Sequence, residues 1–262
     1  MLNTQTTRRV LALAIAGLCL SGAAKAATIT LTGTLRDFSD THPDFEAHVG
    51  GMQIGAIENE LDGDGKPVLS ASGAANPQYS NAANFSQWYR DIDGVNQSTL
   101  YDIVLEESTP GDGVYKYSND AFFPLDGQLL GNEGRTHNYH FTYELAGSIA
   151  FQAADTFDFR GDDDIWMFVD GKLALDLGGV HGPTAASVTG QDLMQKLGLA
   201  ENTTYDLQFF FAERHTTQSN FAISTSLKID TPLPSAVPLP PALPLIASGG
   251  LALALVRSRR KT

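Results

Sequence analysis

The stretch from Phe157 to His181 reads FDFRGDDDIWMFVDGKLALDLGGVH. Two apolar-alternating segments flank three consecutive aspartates, Asp162, Asp163 and Asp164, and Asp170-Gly171 follows as a turn. An Asp-Gly pair between Ile165–Val169 and Leu173–Leu177 is a strong β-hairpin signal, because both turn positions favour positive φ. Three adjacent carboxylates repel one another unless they are fully solvated or a cation sits among them. A hard ion such as Ca²⁺ takes six to eight oxygen ligands and suits clustered carboxylates. A solvated acidic loop is the alternative.

Working outward, the same two-residue period recurs. Tyr139, Phe141 and Tyr143 alternate with His140, Thr142 and Glu144. Tyr205, Leu207, Phe209 and Phe211 form a second run, and Phe221, Ile223, Thr225, Leu227 and Ile229 a third. Such alternation of aromatic and β-branched residues predicts strands with one buried face. One helix is predicted near Gln191 to Leu197, with Leu193 and Leu197 on one face and Thr189 as its cap. The half before residue 135 is turn-rich, with Gly63-Asp64-Gly65 and Pro110-Gly111-Asp112-Gly113. Phe85 to Arg90 reads as a short helix that turns Phe85, Trp88 and Tyr89 to the core. An exposed Trp88–Tyr89 platform for sugar is the other possibility.

Other polar groupings are less specific. Asn59, Asp62 and Asp64 before Gly65 resemble a fragment of a calcium loop, but the downstream bidentate acid is missing and an Asx-rich turn fits better. Glu213, Arg214 and His215 end the Phe209–Phe211 strand, and Glu213 and His215 share a face there. With His181 they form a possible base or ligand group. The structural alternative is a buried cluster in which Arg214 or His215 ties down the aspartate loop. Neither a Ser-His-Asp order, an H-E-x-x-H pair nor a phosphate-cradling glycine loop occurs, so no catalytic residue is assigned.

The termini read as addresses. Arg8 and Arg9, the apolar Val10 to Leu20 and Ala24-Lys25-Ala26 make a secretory leader cleaved after Ala26. The only cysteine, Cys19, lies inside it, so the mature chain has no disulfide. At the far end come proline-rich Thr231 to Pro244, apolar Leu245 to Val256, and Arg257, Arg259, Arg260 and Lys261. That order predicts a transient inner-membrane anchor with its basic end in the cytoplasm. Residues 27–230 form the intervening domain. The whole chain carries a formal charge of −13. Both end segments lack acids and together hold seven of the 17 bases, so the domain keeps all 30 acids and a charge near −20. So acidic a domain excludes nucleic acid as a partner.

Val237 to Leu245, reading VPLPPALPL, with the apolar segment and RSRRK, resembles the VPLPA variety of PEP-CTERM sorting tail. That resemblance implies processing by an exosortase-type protease and delivery to the surface or matrix of a Gram-negative bacterium. HPDFE (His42 to Glu46), NFSQWYRDIDGVN (Asn84 to Asn96), the Phe157–His181 stretch and FFAERHTTQSNF (Phe210 to Phe221) together resemble the fibro-slime domain. Fibro-slime domains are related to the domain named from anthrax protective antigen, a β-sandwich whose yeast-adhesin members bind sugar through calcium. The resemblance implies that two adjacent aspartates joined by a cis peptide hold the ion. Their spacing from Asp170 picks Asp162 and Asp163, with Asp164 beside them and Asn220 as a ligand from a later loop.

The fold expected is therefore all-β, a jelly-roll-like sandwich with one or two short helices. The function expected is Ca²⁺-dependent binding of an extracellular polysaccharide or cell-surface glycan, without chemistry. A structural matrix protein stabilised by its ion is the alternative. A glycoside hydrolase, which needs two carboxyls about 5–9 Å apart across a cleft, is the weakest.

Overall fold

The computed structural model describes residues 26–47 and 50–231. The predicted leader, sorting tail and membrane anchor lie outside the described residues apart from Ala26 and Thr231. Among the described residues no helix is long and apolar enough to cross a membrane.

Eleven strands and three short helices occur among the described residues. They are β1 (Thr28–Phe38), α1 (Ala71–Ala74), α2 (Ala82–Phe85), β2 (Asn96–Glu107), β3 (Tyr115–Asn119), β4 (Phe141–Ala150), β5 (Thr156–Asp162), β6 (Asp164–Val169), β7 (Lys172–Leu177), β8 (Thr184–Thr189), α3 (Gly190–Leu197), β9 (Thr204–Glu213), β10 (Asn220–Thr225) and β11 (Lys228–Asp230). The strands follow one antiparallel order, β7-β6-β9-β4-β1-β2-β3-β10-β5-β8, with β11 added beside β4. β2 and β3 pair through two residue pairs only, Glu106 with Lys116 and Glu107 with Tyr115, and the sheet folds over at that corner. The result is the expected all-β sandwich.

Its first core lies between the layers. Phe209 meets Phe159 at 5.2 Å between ring centroids, and Phe211 meets Phe221 at the same distance. The second core covers the outer face of the β6–β9 layer. There Trp166, Phe168, Phe210 and Ala212 pack against Phe38 at the end of β1 and against Phe45, Ile57, Tyr79, Phe85, Trp88 and Tyr89 of the β1–β2 connection. Ile165 to Val169 is consequently buried on both faces, and a strand buried twice reads as a continuous apolar run. The same packing buries His140 and Thr142, the polar partners in the alternation around Phe141.

The local signals explain the boundaries. Asp170 and Gly171 have φ of 55° and 71°, and the hairpin β6–β7 turns there. Thr189 caps α3, its hydroxyl accepting from Asp192 N–H while the Asp192 carboxylate accepts from Thr189 N–H, a reciprocal capping box. Thr189→Ala is expected to lower stability by about 1 kcal/mol, seen as a shifted urea midpoint at unchanged slope. An unshifted midpoint would show the cap to be idle. The helix predicted over Phe85–Arg90 is different: regular helix ends at Phe85. Beyond it, Trp88 and Arg90 N–H bond three residues back, to Phe85 and Gln87 carbonyls, and Asn96 Nδ2 takes the Arg90 carbonyl at 2.8 Å. These tighter turns carry Trp88 into the second core.

Register also fixes which way the domain points. Phe141 pairs with Asp37 and with Glu213 at one end, and Asn220 pairs with Asp162 there. Ala150 pairs with Thr204 and Lys228 at the opposite end, where Thr28 lies across from Glu106.

Candidate functional site

The three aspartates sit where β5 passes into β6, at the Phe141–Glu213 end of the sandwich. The Asp162–Asp163 peptide is cis. β5 and β10 approach closely at this point: a Cβ on Gly161 would stand 2.7 Å from the Asn220 carbonyl oxygen. Glycine there lets Asn220 reach Asp162. Asn220 N–H donates to Asp162 Oδ1, and its Nδ2 donates to Oδ2 at 3.1 Å. Asp163 accepts from two loops, His181 N–H at 3.0 Å on Oδ1 and Arg214 N–H at 3.1 Å on Oδ2.

Asp164 faces the other way, which corrects its expected place beside the ion. Its Oδ1 accepts from the Tyr79 hydroxyl and from Gly179 N–H, both at 2.6 Å, and its Oδ2 from Arg214 Nε at 2.5 Å. Gly179, at φ 101°, has no room for a side chain, since a Cβ would lie 2.5 Å from the Gly51 carbonyl oxygen. Arg214 is 1 % exposed. Its Nη1 donates to the carbonyls of Asp44 (3.1 Å) and Gln78 (2.7 Å), and its guanidinium lies between the rings of Tyr79 and Trp88, under 5 Å from each. Burial alone would lower the Arg214 pKa, but Asp164 holds it above the ordinary value.

Trp88 and Tyr89 are likewise core residues and no sugar platform. Trp88 is 0 % exposed and its indole N–H donates to Asp44 Oδ2 at 3.0 Å. The Phe45, Phe85 and Trp166 rings surround it and leave no free face. Glu213, expected to work with His215, is buried too. Its Oε2 has no partner, and burial next to Asp163 and Asp162 pushes its pKa well up.

What remains is a cavity of about 120 Å³, lined by Asp162, Asp163, Val180, His181, Gly182, His215, Thr217 and Gln218. His181 and His215, singled out from the sequence, line this cavity beside Asp162 and Asp163. Thr217 and Gln218 had no signal. The His181 ring is set between two carbonyls, Nε2 at 3.1 Å from Leu177 O and Nδ1 at 2.9 Å from Gly182 O. A larger shallow hollow of about 480 Å³ lies on the outer face of β3, β10, β5 and β8. Of its charged lining groups, Arg160 is tied to Asp120 and Asp158 accepts from Ser187.

The electrostatics single out the small cavity. Arg214 forms its salt bridge with Asp164, so among the described residues Asp162 and Asp163 have none, although the nearby Arg214 charge still favours ionised Asp163. Burial raises both their pKa values, Asp163 well above the usual carboxylate range, with Asp164 and Asp162 adding to the rise. The donor set fits a hard cation in part. Each ionised carboxylate oxygen accepts more than the one N–H it now has, and Asn220 keeps its Oδ1 free while Nδ2 is used. Among the described residues, however, no group of three or more His, Cys, Asp or Glu side chains is placed to hold a metal. An ion here would need backbone carbonyls, water or ligand oxygens to reach its coordination number.

Residues 127–239 match the family model of the PA14 domain, the part of the chain that carries β4 to β11 and the acidic loop. Three similar proteins come from Dictyostelium discoideum. Protein psiQ is 38% identical over 193 residues, protein psiR 34% over 215 and protein psiD 34% over 215. The matches cover 69%, 76% and 76% of this chain but only 19%, 21% and 42% of those proteins. The chain thus spans less than half the length of these curated relatives. Among solved structures, the PA14 sugar-binding domain from an RTX adhesin is similar at 11% identity and a TM-score of 0.33, covering 76% of this chain and 95% of that one. The A domain of epithelial adhesin 9 from Candida glabrata, in complex with Galb1-4GlcNAc, gives 13% and 0.28, over 79% and 84%. At such TM-scores the likeness carries no argument about the site.

Proposed function

We propose that this chain is an exported surface or matrix protein that binds carbohydrate through a calcium ion at the Asp162–Asp163 cavity. One observation carries this reading: two buried carboxylates, without a salt bridge among the described residues, line a small polar opening. Asp162, Asp163 and the Asn220 amide oxygen would hold the ion. Calcium, when bound, supplies a positive centre to which neighbouring sugar hydroxyls are drawn. The chain's own groups orient the sugar: Thr217 and Gln218 offer hydrogen bonds at the rim, and His181 and His215 form its sides. The shortage of side-chain ligands favours this arrangement, because it leaves coordination positions for a ligand's oxygens. The resemblance to fibro-slime domains supports the same reading. The leader and the PEP-CTERM-like tail support export, exosortase-type processing and a place in the extracellular matrix or at the cell surface. The reading is one of binding, without catalysis.

A second reading, an ion that only braces the fold, is favoured by the N–H groups on all four oxygens of Asp162 and Asp163, which already tie β5 to β9, β10 and the His181 loop. Glycan-array binding of the exported domain with calcium and with chelator separates the two. Calcium-dependent hits are expected. Binding of ion and sugar must then be linked, each tightening the other by the same factor. A calcium-binding domain without glycan hits would leave the bracing role alone, and sugar held equally well by a folded, chelated domain would place the contact elsewhere.

A further inference from the structure

The HPDFE segment, His42 to Glu46, has no part in the cavity lining, yet its last residue lies against the segment that forms one wall. We propose that Glu46 is the positioning residue for that wall, Arg214 to Gln218; this rests on the calcium reading above. Glu46 N–H donates to the Arg214 carbonyl at 2.8 Å. Its Oε1 accepts from Thr216 N–H at 2.9 Å, and the Thr216 hydroxyl lies 3.4 Å from Oε2. One residue therefore grips the chain on both sides of His215, from a point 170 positions away in sequence. Three cationic or titratable groups converge on the same carboxylate: His140 Nε2 at 2.9 Å, His215 Nε2 at 3.6 Å and Arg135 Nε at 3.7 Å. His140 is braced in turn, its Nδ1 lying 3.2 Å from Glu133 Oε2.

The grip comes from a rigid base. Phe45 stacks on Phe38 at 4.7 Å, and Asp44 is fixed by Trp88 and by Ser80 N–H. Glu46 itself sits at φ 59°, the left-handed region, a conformation that costs a non-glycine residue energy and persists where surroundings enforce it.

The wall it holds reaches the cavity on both sides of Thr216. Arg214 N–H donates to Asp163, His215, Thr217 and Gln218 line the opening, and Asn220 follows two residues later to engage Asp162. Glu46 reaches the carboxylate pair through this segment, as an outer-shell group does in a metal site, where removing one typically costs ten- to hundredfold in affinity.

The test compares Glu46→Ala, Glu46→Gln and wild-type full chain in three measurements. They are calcium affinity by calorimetry, amide hydrogen exchange of residues 215–218 without calcium, and global unfolding by urea. Glu46→Ala is expected to weaken calcium at least about tenfold and to speed exchange at Thr216 and Thr217, while the core amides of β5 and β9 exchange as before. Glu46→Gln keeps an acceptor for Thr216 N–H and is expected to fall between the two; it stands in for Glu46→Ala if that variant does not fold. Wild-type calcium affinity in a variant whose unfolding midpoint has dropped would make Glu46 a stability residue and overturn the proposal. So would unchanged exchange at 215–218. A wild-type chain that takes no calcium would instead remove the calcium reading, and the Glu46 role with it.

Discussion

Arg214→Met is expected to destabilise the folded domain by about 3–5 kcal/mol, the cost of leaving one member of a buried ion pair without its partner. Asp164 would keep only neutral donors, the Tyr79 hydroxyl and Gly179 N–H, inside a site with no access to water. Two carbonyls, of Asp44 and Gln78, would lose their donor at the same time. For a domain of this size that corresponds to a fall in melting temperature on the order of 10 °C. Adding Asp164→Asn should restore part of the loss, because the orphaned charge disappears. A loss below about 1 kcal/mol in the single variant, or a double variant weaker than the single, would mean that Arg214 is not what holds the acidic loop.

Calcium-linked stability should vanish in Asp162→Asn and in Asp163→Asn. Wild type is expected to gain about 2.7 kcal/mol at an ion concentration one hundred times its Kd, and the variants close to nothing. The effect should depend on pH with a defined sign. Asp162 and Asp163 have folded pKa values above their unfolded ones. In chelator their contribution to stability is therefore fully present below the unfolded value near 3.8. It is lost as pH rises through the folded values. A bound ion favours the ionised carboxylates and should offset that loss, so the gap between calcium and chelator curves widens from acid toward neutral pH. Melting curves across that range check it; a gap that is constant, or equal in the two variants, would remove the ion from this loop.

Much of the sandwich was legible because a strand with one wet face shows its period. β4, β9, β10 and the β6–β7 hairpin could be placed from Phe141, Phe209, Phe221 and Asp170-Gly171 alone. β1 and β2 are the longest strands, at 11 and 12 residues, and were passed over in a half that looked rich in turns. Their signal exists, in Ile29, Leu31, Leu35 and in Tyr101, Ile103, Leu105. Leu100 and Val104 blur it, since both stay exposed on the outer face of β2. Of the second core, Phe85, Trp88 and Tyr89 read as core residues, but what they pack against did not. That core joins Trp88 to Trp166 across 78 positions, and no local pattern says that a sheet face is covered by a distant connection.

The candidate site was half legible for the same reason. Adjacency marked the aspartates, but only the third dimension separates Asp162 and Asp163, which share the cavity, from Asp164, which turns to Arg214. Two-residue spacing put Glu213 and His215 on one face of a strand, but β9 ends at Glu213 and His215 lies beyond it. The spacing could not tell that the strand end lies inside, so that Glu213 is enclosed while His215 reaches the opening. HPDFE stood out as a motif, yet its contact with Arg214 and Thr216 spans most of the chain.

The register of β4 has a consequence for how the cavity meets the outside. β1 starts at the Ala150 pole, and β11 begins opposite Ala150 and ends opposite Ser148, where the Thr231 hydroxyl donates to the Thr30 carbonyl. The acidic loop lies at the Phe141 pole, a strand's length away, about 33 Å for the ten residues of β9. Entry and exit of the polypeptide thus share one hemisphere and the opening occupies the other. Because both ends leave side by side, the domain can be spliced into a much longer protein without turning the opening inward.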